Sequence, residues 1–366
     1  SVSVSFLFSV PAFAFLFWGA ESIGTAWLDD PRTIFPLKLL AVGMPFAGVS
    51  ACIKGYYYAV GKLIRPTSAQ AAELVVQILI IINIIDYFMQ GGPEYACAAI
   101  AVGTTISELA SCLFSLTLYW AELRNNDPGL SPPHQQRNIL KKLLYISFPV
   151  SVSSLIRTSL KMLENIMVPI GFEKFGYSRK VSLEQYGKLH GMVMPILMFP
   201  SSVIIAFSAL LIPEISEANA LNQKKKVEYS ILRALQLTCI MSVLVSGVFL
   251  FFSNSLGIVI YDSGECGALK KRLAPLIPLI YLDIVVDELL KALNQQVSVL
   301  RYNMLDATMK IVLIYYVLPV KGLDGLIFVL YAGGLFNTSI SIRKLLKTTR
   351  LHFKAAEWIF KPILSV

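Results

Sequence analysis

Charge is what this chain has least of. Only 15% of its 366 residues are Asp, Glu, Lys or Arg, against about 25% in an ordinary soluble domain, too few to cover a water-exposed surface. Histidine is nearly missing. His134, His190 and His352 all fall in or near loops, none at ligand spacing from a Cys or Asp, so no metal site is expected. The five cysteines, Cys52, Cys97, Cys112, Cys239 and Cys266, are odd in number and irregularly spaced within mostly apolar stretches. They support neither a disulfide framework nor a zinc site.

Enzyme motifs and cofactor signatures are missing too. Gly55–Leu63, GYYYAVGKL, has its second glycine one residue late for a phosphate loop, and Leu63 stands where a magnesium-binding hydroxyl is required. No selectivity-filter sequence occurs, which weighs against a channel. No basic n-region precedes the opening apolar run, so a signal peptide is not expected, and the start at Ser1 suggests N-terminal truncation.

Hydrocarbon is what the chain has in excess. With 55% hydrophobic residues and a mean hydropathy of +0.65, it reads as an all-α integral membrane protein. The net charge of +9 fits basic cytoplasmic loops facing anionic lipid rather than nucleic acid. Ten apolar segments of spanning length fall near 1–19, 34–56, 67–89, 95–119, 143–170, 191–213, 234–260, 273–297, 303–319 and 322–342. An eleventh begins at Trp358.

Counted from the first span, the odd connections carry about nine Lys and Arg and the even ones about seventeen, so the even loops are expected in the cytoplasm. Trp18, Trp27, Trp120 and Trp358 lie near span ends, as an aromatic belt requires. Asn125–Gln136, NNDPGLSPPHQQ, reads as a cytoplasmic linker. The expected organisation is an N-terminal lobe at 1–120, a linker at 121–138, a C-terminal lobe at 139–350, and the start of an extra helix at 351–366. A shift of about 237 residues superimposes the order and spacing of three spans, the pattern left by a parallel transporter repeat. The fold expectation is thus a polytopic bundle of two pseudo-repeat lobes, truncated at both ends.

The sharpest functional signal is Ser147–Pro169, a membrane-length helix with charge at its centre. Arg157, Lys161 and Glu164 recur at i, i+4 and i+7 and share one face. A charge at bilayer depth costs about 3 kcal/mol on insertion scales, so such a face normally looks into a bundle or a wet cavity. Cavity lining is favoured over a Lys161–Glu164 pair that only joins helices, because one Glu neutralises one of two cations.

Other spans carry polar faces. Gln70, Glu73 and Gln77 share one, as do Thr104, Glu108, Ser111 and Ser115. Asp283, Asp287 and Lys291 follow i, i+4, i+8, with Glu288 and Asn294 nearby, and Asp306 and Lys310 follow in the next span. Thr104, Ser111 and Ser115 read better as packing contacts. Asp287, Glu288 and Lys291 fit a solvated helix end equally well, and Glu73 is close enough in sequence to pair with Lys62 or Arg65. Pro195, Pro200, Pro213, Pro275 and Pro278 free backbone carbonyls and permit bends.

Lys54-Gly55-Tyr56-Tyr57 followed by Pro66-Thr67, Gln70 and Glu73 resembles the fourth-to-fifth helix segment of the stage V sporulation protein B type of polysaccharide transporters. Arg157-Thr158 to Glu164-Asn165, Pro169, Tyr186-Gly187, Gly191-Met192, Pro195, Phe199-Pro200-Ser201 and Leu211-Ile212-Pro213-Glu214 resemble the same group's seventh and eighth helices. That group belongs to the multidrug/oligosaccharidyl-lipid/polysaccharide (MOP) superfamily, which includes the MATE exporters. The resemblance implies fourteen helices in two lobes plus two extra, with the first two and most of the last two absent here.

It further implies a flippase of the bacterial cell membrane moving a polyprenyl-pyrophosphate-linked sugar by alternating access, without cofactor and as a monomer. Arg157 and Lys161 would hold the pyrophosphate, with Glu164 steadying Lys161. Glu73, Gln77, Glu108, Asp283, Asp287 and Lys291 are the candidates for cavity lining or for coupling to a proton or sodium ion. Two alternatives stay open: a cation-coupled multidrug exporter of the same superfamily, and a non-transporting scaffold for envelope or spore-coat synthesis.

Overall fold

The computed structural model describes residues 2–27, 31–60, 62, 64–89, 94–125, 139–262 and 264–349, and all regular structure there is helical. Most of the expected linker, and the helix start expected at 351–366, lie outside the described residues. The chain divides into two compact units, Ser1–Arg137 and Asn138–Val366.

The first unit holds α1 (Val2–Ser22), α2 (Ile34–Ala59), α3 (Ile64–Met89) and α4 (Glu94–Asn125). Helix α4 packs against both α2 and α3, and α1 packs against α2. Leucine gains nothing by leaving lipid for protein, so small residues and hydroxyls make the seams. Ser5 Oγ donates to the Gly48 carbonyl at 2.7 Å, Thr105 Oγ1 to the Leu39 carbonyl at 2.9 Å, and the Ser50 and Ser111 hydroxyls lie 3.3 Å apart. Ser111 and Ser115 are both buried and Thr104 bonds within the helix pair, in keeping with packing roles. Long apolar side chains such as Phe15 and Trp18 point outward instead.

The second unit holds α5 (Ile139–Phe175), α6 (Arg179–Gly187), α7 (Met194–Met198), α8 (Ser201–Ala220), α9 (Lys224–Tyr261), α10 (Gly264–Leu273), α11 (Ile277–Ala292) and α12 (Gln296–Thr349). A π-helical turn, Lys188–Val193, joins α6 to α7. Helix α12 packs along α5 and α11, and α9 packs against α8, α10 and α11. Its core is built from residues such as Phe172, Leu197, Ile231, Ile277, Val285 and Leu318.

The prolines set where hydroxyls are needed. Pro278 has no N–H to offer the Ala274 carbonyl four residues back, and Ser246 Oγ of α9 donates there at 2.8 Å. The break between α7 and α8 leaves the Leu197 carbonyl to the buried Tyr281 hydroxyl of α11, which donates at 2.7 Å. Outside the spans, Lys188 pairs with Glu184 of α6 and Glu265 of α10 at 2.8 and 2.6 Å, hydrogen bonds that push its pKa up to about 12.

Seven described helices are long and apolar enough to cross a membrane, including α12 and, in the first unit, all four. The ten spans read from the sequence map onto the described helices, with span 191–213 divided between the π-helical turn at 188–193, α7 and the start of α8, and with three further differences. Helix α5 covers 143–170 but is not among these seven. Helix α11 is only 16 residues long, so span 273–297 also draws on the turns flanking it. Spans 303–319 and 322–342 are the two arms of the 54-residue α12, which meet at a kink at Gly322, where φ is 52° and ψ −129°. A straight helix of that length would run about 80 Å, far beyond a hydrocarbon core of about 30 Å, so the break divides two crossing arms.

Gly322 is required there twice over. Its φ is one that L side chains rarely adopt, and a Cβ would sit 2.9 Å from the Phe175 ring. Gly322→Ala is expected to cost about 1–3 kcal/mol, read as a lower unfolding temperature in detergent. An unchanged unfolding temperature would show that the break tolerates a side chain.

Candidate functional site

On α5, the structure resolves how the three charges divide. Glu164 is buried, and Lys161 Nζ donates to its Oε2 at 3.1 Å while the Lys161 side chain stays 58% exposed. The carboxylate thus anchors the ammonium from inside and leaves it presented at the surface of the unit. Arg157, one turn earlier, is exposed and makes no ion pair among the described residues.

Beside this face lies an aromatic pair absent from the sequence reading. The Tyr186 and His190 rings stack 4.3 Å apart, and the Lys161 and Glu164 charges are close enough to act on His190, as Glu164 does on Tyr186. His190 Nδ1 is buried without a hydrogen-bond partner. The π-helical turn at 188–193 sets the ring's direction, and such turns recur at functional sites. No period in the sequence announces one.

The second constellation lies on α11 and the two arms of α12. Asn337 Nδ2 donates to both Asp283 oxygens at 3.0 and 2.9 Å and to Asn303 Oδ1 at 3.0 Å, and Asn303 Nδ2 donates to Asp287 Oδ2 at 2.9 Å. Asp306 pairs with Lys310 at 2.6 Å. Glu164 and Lys161 of α5 act electrostatically on Asp306, which joins this cluster to the charged face of α5. Of the sequence candidates, Asp283 and Asp287 therefore enter one network. Lys291 is exposed and paired with its neighbour Glu288 at 2.7 Å, at the helix end. Asn303 and Asn337 were missed by sequence, although Asn303, Asp306 and Lys310 share a face at i, i+3, i+7.

In the first unit, Lys54 Nζ donates to Glu73 Oε2 at 2.8 Å, and the Glu73 and Lys54 charges reach Glu108. Glu108 lies against Gly43 of α2, at a spot a Cβ would fill. Gln77 donates to Thr104 Oγ1 at 3.0 Å. Glu73 does not take the nearby cations Lys62 and Arg65. Both pair with the buried Glu122 of α4, and Arg65 also donates to the Tyr57 hydroxyl. Lys54 is the better-placed partner because it sits inside the span at the depth of Glu73.

The stem of Lys310 crosses Gly333, where an added Cβ would overlap Lys310 Cε and approach Asp306 Oδ1 to 3.0 Å. Gly333→Ala is therefore expected to destabilise by about 1–3 kcal/mol as overpacking. Gly247→Ala in α9, whose Cβ meets nothing within 4 Å, is expected to be neutral or stabilising. Thermal unfolding of both variants in one detergent checks the pair, and equal behaviour would remove the steric argument.

No protein-family model matches the chain. It is 27% identical over 349 residues to stage V sporulation protein B of Bacillus subtilis, covering 94% of this chain and 67% of that protein. It is 23% identical over 209 residues to sporulation protein YkvU of the same organism, covering 56% of this chain and 46% of that one. The chain thus spans about two thirds of the first relative and less than half of the second. Among solved structures, an inward-facing multidrug resistance MATE family transporter of the MOP superfamily matches with a TM-score of 0.72 and 16% identity, over 95% of this chain and 79% of that one. The solved structure that it matches is of a transporter. The chain is thus a multi-pass membrane protein with the fold seen in transporters of the MOP superfamily, and its sequence is similar to that of stage V sporulation protein B.

Proposed function

We propose that this protein is a flippase that carries a polyprenyl-pyrophosphate-linked sugar across the bacterial cell membrane by alternating access, the even-numbered loops facing the cytoplasm. The observation that carries the reading is the exposed Arg157 and Lys161 pair on α5, with Glu164 buried behind Lys161. A guanidinium fork matches phosphate oxygens bidentately, and an ammonium one turn away adds a second charge for a diphosphate. A lipid-linked substrate keeps its tail in the bilayer, so the protein need hold only the polar headgroup. Tyr186 and His190 supply a flat apolar surface with a polar edge next to the cations, suited to a sugar ring.

Coupling to a proton or sodium ion is assigned to the carboxylate networks: Asp283 and Asp287 with their asparagines in the second unit, and Glu73, Gln77 and Glu108 around Lys54 in the first. Lys291 is left a rim position by its pairing with Glu288. Export of cationic drugs, the second reading, would ask for an acidic aromatic face where α5 presents two cations. A non-transporting scaffold, the third, has no use for either.

The test is transbilayer movement of a fluorescent polyprenyl-pyrophosphate sugar in proteoliposomes made with the full-length protein. Arg157→Ala, with folding confirmed, is expected to reduce the rate at least tenfold, and Lys161→Ala to reduce it less. Equal movement in wild type and both variants would remove the cationic face from the mechanism. No movement of lipid-linked sugar by wild type, with export of a cationic dye, would favour the drug exporter. Neither activity would favour the scaffold.

A further inference from the structure

The α11–α12 network holds more buried oxygen than it has donors to satisfy. Asp306 Oδ1 and Asn337 Oδ1 are buried without a hydrogen-bond partner, and the buried Ser341 hydroxyl faces Asp287. Asp306, Asn337 and Ser341 are themselves at least nine-tenths buried. Both asparagine amides are already committed, one to Asp287 and the other to Asp283 and Asn303. A buried acceptor left without a donor costs free energy, and carboxylate and amide oxygens are the donor atoms that hard cations prefer.

One cation is built in. Lys310 Nζ lies 2.6 Å from Asp306 Oδ2, with its side chain 20% exposed. Its charge also reaches Asp283. Two further ammoniums act on the network from its edges, Lys161 on Asp306 and Lys291 on Asp287, each paired with its own glutamate, Glu164 and Glu288. Among the described residues, Lys310 is the one ammonium that pairs directly with a carboxylate of the cluster. Gly333 fixes where that ammonium can lie, since a side chain there would occupy the path of the Lys310 stem.

We propose that Lys310 is a tethered cation that competes with a free monovalent cation, sodium or proton, for the carboxylates of α11 and α12. The proposal rests on the reading that this cluster takes the coupling ion, and it names the residue that sets the cluster's affinity. A free cation beside Asp306 meets the Lys310 charge within a few ångströms, where repulsion is strong in a half-buried site. It binds only as the ammonium swings away along its flexible four-carbon stem. Because Lys161 and Glu164 act on Asp306, an anion drawn to the α5 face alters the same field, which gives headgroup and ion a common point of contact.

The experiment uses the full-length protein in detergent without lipid-linked substrate. Thermal unfolding is followed against sodium at pH 8.5, with choline holding ionic strength constant, and against pH in choline alone. Lys310→Met, which keeps the stem and removes the charge, is expected to reach half-maximal stabilisation at a sodium concentration lower by about tenfold or more than wild type. If the proton is the cation, the variant's pH response moves instead and sodium has no specific effect. Adding Asp306→Asn to Lys310→Met is expected to abolish the gain. The proposal is overturned if Lys310→Met leaves both responses unchanged or weakens them.

Should Lys310→Met fail to fold, Asp306→Asn alone frees the ammonium while removing its carboxylate, and the expected result is loss of the sodium or pH response. A response unchanged in that variant also overturns the proposal. No lipid-linked sugar is present, so these outcomes stand apart from the transport test of Arg157.

Discussion

An ion removed from water must be given a partner, and that demand shapes both units of this protein. The cost of leaving a charge unpaired in a low-dielectric interior is several kcal/mol, far more than any single packing contact returns. Most of the charges within the helices have an identifiable counterpart: Lys54 with Glu73, Lys62 and Arg65 with Glu122, Lys161 with Glu164, Lys310 with Asp306; the buried Lys270 ammonium, without a hydrogen-bond partner, is an exception. Two of these pairs are made along one helix, Lys161 with Glu164 at i+3 and Lys310 with Asp306 at i−4. The others tie helices together, α2 to α3 by Lys54 and the α2–α3 junction to α4 by Glu122.

The same demand governs the backbone. Lipid offers no hydrogen bonds, so each carbonyl released by a proline or a break needs a donor from a neighbouring helix. Ser246 and Tyr281 meet it at Ala274 and Leu197. Hydroxyls thus serve two purposes, filling close helix contacts as Ser50 and Ser111 do, and completing the backbone of bent helices as Ser246 and Tyr281 do. Where the chain must turn inside α12, no side chain can substitute for the missing Cβ of Gly322, because Phe175 occupies the space.

The proposed function draws on the places where pairing is incomplete. Arg157 is presented at the surface of its unit, and Lys161 is steadied from behind by a buried carboxylate. The α11–α12 network has its amide donors committed and buried oxygens still unmet. Excess positive charge on α5 suits a phosphate-bearing headgroup, and excess oxygen on α11 and α12 suits a cation. On the proposed reading, both imbalances lie in one unit, where the charges of Lys161 and Glu164 act on Asp306.

Composition and periodicity alone determined that this is an all-helical membrane protein, where most spans run, and that α5 carries a charged face, because hydrophobic length and the 3.6-residue repeat are local properties. The Lys161–Glu164 pair was legible for the same reason, being three residues apart on one helix. Only the tertiary structure decided that Glu73 takes Lys54 while Lys62 and Arg65 take Glu122, and that Asn303 and Asn337 complete the network of Asp283 and Asp287. It also decided that His190 stacks on Tyr186 and that the last two spans meet at a sharp kink at Gly322. Those outcomes depend on which faces meet across helices distant in sequence, and on a single backbone angle at Gly322, neither of which is written in any one stretch of the chain.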